Sequence, residues 1–161
     1  METTSAVSTA DRHSEPRGRH RQRRRAVDLL FEAEAKGVPA TDLIAERREA
    51  FAEHDAVGEM TGYGVEAVAG VVADAGQIDA IVASRLENWK LERLPAVDRA
   101  ILRLATWELL YAPDIDVKVV ITEAVKLAAE LSTDDSPAFV NGVLDRIAVL
   151  APQVRAAGSA E

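Results

Sequence analysis

The chain contains no cysteine, which excludes disulfides, thiolate nucleophiles and Cys-ligated zinc together. Aromatic residues are scarce, at 4% of 161, so any core must pack through Ala, Val and Leu. No run approaches the roughly 18 consecutive apolar residues of a membrane-crossing helix. The first ten residues are polar and lack the apolar stretch of a secretory leader. A cytoplasmic location is the expectation. None of the motifs G-x-x-x-x-G-K-[ST], H-E-x-x-H, G-x-S-x-G or G-x-G-x-x-G occurs. The three histidines, His13, His20 and His54, have no metal-ligand spacing. No catalytic residue, metal or cofactor is therefore expected.

What is present is a large apolar fraction, 48%, enough to exclude wholesale disorder. The net charge of −8 hides an asymmetry. Residues 12–25 hold seven arginines (Arg12, Arg17, Arg19, Arg21, Arg23, Arg24 and Arg25) against the single acid Glu15. Arginine gathered at one end of an acidic body makes a local anion-binding patch. The acidic remainder would hold a polyanion to that edge and suit a basic protein partner elsewhere.

Residues 1–18 lack a hydrophobic period and read as a disordered basic tail. From Arg19 a helix carries Val27, Leu30, Phe31 and Ala35, stopped by Gly37 and then Pro39. A second helix, capped by Thr41 or Asp42, holds Leu43, Ile44 and Phe51. After a break over 58–64, a third holds Val65, Val68 and Val72, and a fourth holds Ile78, Ile81, Val82 and Leu86. Pro95 opens a fifth helix running to Tyr111, apolar around most of its circumference and so the most buried. A sixth spans 117–131. Its β-branched start admits a strand, but the longer helical period decides for a helix. Ser136 and Pro137 read as N-cap and first residue of a seventh. Residues 151–161 are expected to be flexible. The fold class is all-α, with seven short amphipathic helices.

The arginine cluster is the strongest functional signal. At about 100° per residue, Arg21, Arg24 and Arg25 share about 100° of circumference, about 120° from the apolar stripe. Arg19 and Arg23 project nearer the apolar side but precede its first large residue, so they can extend beyond the packed body. The helix N-terminus adds attraction for phosphate. The alternative is a solvated tail in which Arg24 and Arg25 pair with Asp28. Gly62-Tyr63-Gly64 reads as a plain loop, and Asp134-Asp135 as acids favoured at a helix start. Gly142 inside a helix costs about 1 kcal/mol relative to Ala; close approach of another helix would explain it, or of a ligand backbone. Phe139 reads as core, or as an aromatic that stacks on an unpaired base. Trp89 and Trp107 read as core.

The run Trp89-Lys-Leu-Glu-Arg-Leu-Pro-Ala-Val-Asp-Arg-Ala-Ile-Leu-Arg-Leu104, continued by Trp107-Glu-Leu-Leu110, resembles the signature of the NusB family of bacterial antitermination factors. Val119-Val-Ile-Thr-Glu-Ala-Val-Lys-Leu-Ala128 is similar to the family's next block, and Phe139-Val-Asn-Gly-Val-Leu-Asp145 to its most specific heptad. The arginines before Ala26-Val-Asp-Leu-Leu-Phe31 resemble its basic opening. The likeness spans about residues 19–150 and is weak over 37–76. The family usually has proline at the place of Asp116 and asparagine at that of Thr122.

The resemblance implies two packed helical subdomains, about 19–92 and 95–150, seven helices in all. It implies binding of boxA RNA from ribosomal RNA leaders together with NusE, a small-subunit ribosomal protein, within the RNA polymerase antitermination complex. RNA contacts carry over to Arg19, Arg21, Arg23, Arg24 and Arg25, and to Asp135, Ser136 and Phe139 at the start of the last helix. Phe31 and Asp98 carry over as the NusE surface. A homodimer is possible, since some family members self-associate. Two other readings remain: a protein-only dimerisation scaffold, and an RNA-binding module related to rRNA cytosine methyltransferases. The latter enzymes need an α/β cofactor domain and usually catalytic cysteines, of which this chain has neither.

Overall fold

A computed structural model describes residues 16–52 and 61–159; helices joined by short turns make up these residues, with no strand among them. The expected opening tail falls mostly on residues 1–15, and His13, His54 and the side chain of Phe51 also lie outside the described residues. Helix α1 spans Arg19–Lys36, α2 Ala40–Ala52, α3 Tyr63–Ala73 and α4 Ala75–Ser84. A 3₁₀ turn over Leu91–Arg93 leads to α5, Ala96–Tyr111, followed by α6, Val117–Leu131, and α7, Ser136–Ala148. A further helix, α8, covers Ala151–Ser159, where a flexible terminus was expected. Ala151 is buried and Val154 packs against the core. Arg155 fastens α8 by donating to the carbonyls of Leu109 and Glu108 at 2.7 and 3.0 Å.

The helix ends follow local chemistry. Gly37 closes α1 in the left-handed region at φ 67°, and Val38 N–H returns to the Ala33 carbonyl at 3.0 Å. A β-carbon there would meet a steric penalty that glycine avoids. Asp116, one of the two departures from the family pattern, caps α6 by accepting from Lys118 N–H at 2.8 Å. Its carboxylate satisfies one of the orphan donors at the helix start.

Helices α1 to α4 pack in sequence on one side, and α6 and α7 pair on the other. Between them runs α5, which touches α1, α3, α4, α6, α7 and α8. Ile101, Leu102 and Leu109 are fully buried along it, which explains why its apolar residues surround most of the axis. No single helix among the described residues is long and apolar enough to cross a membrane. The apolar pair α3 and α4 bends by 79° at its junction and buries Val68, Ile78 and Val82 in the core.

Candidate nucleic-acid interface

The first helix sorts its basic residues by where the 3.6-residue repeat points them. Its buried face is Arg23, Ala26, Val27, Leu29, Leu30 and Ala33. Arg23 stands three and four residues before Ala26 and Val27, on the same stripe, and is 1% exposed. Its Nε donates to both carboxylate oxygens of Glu108 on α5, at 3.0 and 3.1 Å. A buried guanidinium is tolerated only when paired and hydrogen-bonded in this way. The expectation of Arg23 as an RNA contact is thereby corrected: its charge is spent inside the protein.

The outward residues differ. Arg17, in the turn before α1, is exposed, and so are Arg21 and Arg24. Arg25 is half-buried. Arg19 is half-buried and lies over the ring of Tyr63, with Cζ 4.3 Å from the ring centroid. The alternative pairing with Asp28 is present only as a longer-range effect: burial raises the Asp28 pKa, while Arg24 and Arg25 act against that rise. Arg24 instead approaches Glu130 of α6 at 3.7 Å and keeps about half its side chain in water. Such an exposed pair contributes little and yields readily to a phosphate.

Beside these arginines, His20 sits between two carboxylates of α6, with Nδ1 2.5 Å from Glu123 and Nε2 2.8 Å from Glu130. Burial pushes the Glu123 carboxyl up, but hydrogen bonds from His20 and Lys126 outweigh it and hold the group below its ordinary value. These contacts tie the start of α1 to two side chains of α6, whose last residue, Leu131, is followed within five residues by the start of α7.

At that head, Asp98 and Ser136 form a buried knot. Asp98, 3% exposed, accepts from Ser132 Oγ at 2.6 Å and from Ser136 Oγ at 2.9 Å. Ser136, 2% exposed, also lies 2.8 Å from Thr133 Oγ1. Its hydroxyl staples the loop rather than facing solvent, so neither it nor Asp98 offers a free polar group. Asp135, the residue before α7, makes no side-chain capping bond and is exposed. A hollow of about 230 Å³ is lined by Trp89, Leu94, Pro95, Asp98, Thr133, Asp135, Ser136 and Phe139. It brings together four residues expected at functional surfaces, and Phe139 in its wall is half-buried. Trp89, expected in the core, is 58% exposed on its rim. Phe31 is 41% exposed on α1.

Two positions escaped the sequence reading. Tyr63, in what looked like a loop, opens α3 and donates its hydroxyl to Glu108 at 2.6 Å. Burial and the neighbouring carboxylate push that hydroxyl far above its ordinary range, so it remains a donor. Gly64 lets α3 rest on α1: a β-carbon there would lie 2.6 Å from the Gln22 carbonyl oxygen. Close approach had been expected at Gly142, but there the nearest atom is Arg146 Nη1 at 3.7 Å, on the same helix.

The model of the NusB family matches residues 20–149, from the first turn of α1 through the end of α7. The chain belongs to the NusB family. Among solved structures, NusB of T. maritima shares 32% identity, with 87% of this chain and 96% of that one covered and a TM-score of 0.70. A complex of the antitermination factors NusB and NusE with double-stranded RNA contains a chain 27% identical, covering 83% of this chain and 98% of that one, at a TM-score of 0.68. NusB from Aquifex aeolicus, in solution, is 27% identical, covering 82% and 88%, at 0.65. The NusB match includes the arginine edge from His20 onward and the head of α7, and leaves α8 outside it.

Proposed function

We propose that this chain is a non-enzymatic, cytoplasmic antitermination factor that binds boxA RNA of ribosomal RNA leaders together with NusE and helps RNA polymerase pass terminators. The observation that carries the reading is the exposed edge of Arg17, Arg21 and Arg24 at the N-terminal end of α1 in a NusB-family chain. Guanidinium groups there meet phosphate without first breaking a buried pair, and the aligned peptide dipoles add to the attraction. Arg19 and Arg25 extend the edge. Phe139, half-buried beside the exposed Trp89, offers an aromatic face for an unpaired base, with Asp135 at the same rim. Exposed Phe31 suits a protein partner, and the acidic body suits the basic protein NusE.

The experiment is electrophoretic binding to a boxA-containing single strand and to a scrambled strand, each with NusE present. Tighter binding to boxA supports the reading. Equal affinity for the two strands overturns it.

A further inference from the structure

Arg19 is held from below by a residue that the RNA-binding reading does not use. Tyr63 lies at the first position of α3, and its ring faces two arginines of α1, with Arg19 Cζ at 4.3 Å and Arg23 Cζ at 6.0 Å from the centroid. Its hydroxyl is fixed on the carboxylate of Glu108, which is itself locked by Arg23 in the core. The backbone just after it is fixed as well. Gly64 N–H donates to Gln22 Oε1 at 3.0 Å, and the missing β-carbon at Gly64 lets the two helices touch. A tyrosine tied at its tip and packed at its edge presents a rigid π face. A guanidinium held over such a face loses less freedom when it meets a phosphate.

We propose that Tyr63 is a positioning residue for RNA binding: anchored on Glu108 through its hydroxyl, it holds the Arg19 guanidinium over its ring, at the edge where a phosphate would bind. The inference rests on the proposal that the α1 arginines bind RNA. Planar stacking matters at Arg19 and not at Arg21, which is exposed on the outer side of the helix. The two positions therefore respond differently to loss of the planar group.

The test is fluorescence-anisotropy titration of the full chain with a fluorescent boxA single strand, comparing Arg19→Lys, Arg21→Lys, Tyr63→Met and the double variant Arg19→Lys/Tyr63→Met. Arg19→Lys keeps the charge but weakens the stack, so affinity should fall about two- to five-fold. Arg21→Lys should change it by less than about two-fold. Tyr63→Met should weaken binding by about the same factor as Arg19→Lys, and the double variant should be no worse than either alone. Equal responses of Arg19→Lys and Arg21→Lys overturn the inference, as does strict additivity of Arg19→Lys and Tyr63→Met. Should Tyr63→Met unfold, the lysine pair still decides, because neither change touches the core. Absence of RNA binding by the unaltered protein would instead overturn the function proposed above.

Discussion

Arg23 and Glu108 meet in the core between α1 and α5, each 1% exposed, with the Arg23 Nε 3.0 and 3.1 Å from the two carboxylate oxygens and Nη2 3.0 Å from one of them. The pair fixes the first two turns of α1 to the central helix and so sets which arginines face water. Removing one partner strips the other buried charge of these hydrogen bonds. Glu108→Ala should therefore destabilise the fold by about 3–5 kcal/mol in urea unfolding. Replacing the trio together, as Arg23→Met, Glu108→Leu and Tyr63→Phe, should recover most of that loss, because the three groups that hydrogen-bond one another are removed at once.

Two of the helical glycines, Gly70 and Gly142, should respond in opposite directions to alanine. At Gly70 a β-carbon would fall 2.2–2.7 Å from the ring of Trp107, which cannot move away without disturbing the core. Gly70→Ala should cost about 1–3 kcal/mol through overpacking. At Gly142 a β-carbon would meet, among the described residues, just the flexible end of Arg146 at 3.7 Å. Gly142→Ala should stabilise the protein by about 0.5–1 kcal/mol through the restricted unfolded chain and better helix propensity. Thermal unfolding of both variants checks the signs.

Asp98 should matter first to stability. It accepts two serine hydroxyls while nearly out of solvent. Asp98→Ala strands both donors and should destabilise by about 1.5–3 kcal/mol. Asp98→Asn keeps an acceptor oxygen and should lose less. Loss of NusE binding in Asp98→Ala at a temperature where it is fully folded, with Asp98→Asn unaffected, would separate a partner role from the structural one.

Acid should release the clamp between α1 and the start of α5. Glu34 accepts from Arg99 and Arg103, and the Arg99 hydrogen bond, opposed by burial and helped by Arg103, holds its pKa down from 4.5 to about 2. The folded value lies below the unfolded one, so the stabilisation is complete above 4.5 and is lost as pH falls toward 2. Stability of the parent over Glu34→Gln should be constant from neutral pH to about 4.5 and should narrow below it. A gap that stays unchanged down to about pH 3 would contradict this linkage.

Most helices were legible because their apolar spacing is strong and glycine or proline marks their ends. The bounds of α6 coincide with the expected 117–131, and α7 begins at Ser136, one residue before the expected Pro137, with Asp135 in the N-cap position. What was not legible depends on partners remote in sequence. Arg23 looked like its neighbours because nothing near it shows that Glu108, eighty-five residues away, waits on the same buried stripe. Trp89 looked like core because size alone argued for burial. Gly64 and Gly70 are placed by helix contacts that only three dimensions reveal, whereas a β-carbon at Gly142 would meet just Arg146 of its own helix among the described residues. Helix α8 carries too few apolar residues to show a period, and its hold comes from Arg155 reaching the end of α5. The outward arginines were legible because helical geometry alone separates Arg21 and Arg24 from the apolar face.

The salt dependence of RNA binding tests that arginine edge most directly. With about four to six phosphate contacts to a single strand, log affinity against log salt should have a slope of about −3 to −4. Replacing Arg21 and Arg24 by Gln should make the slope shallower by about 1.4, while the fold stays intact. A slope near zero in the parent protein, or one that the double replacement leaves unchanged, would contradict the account.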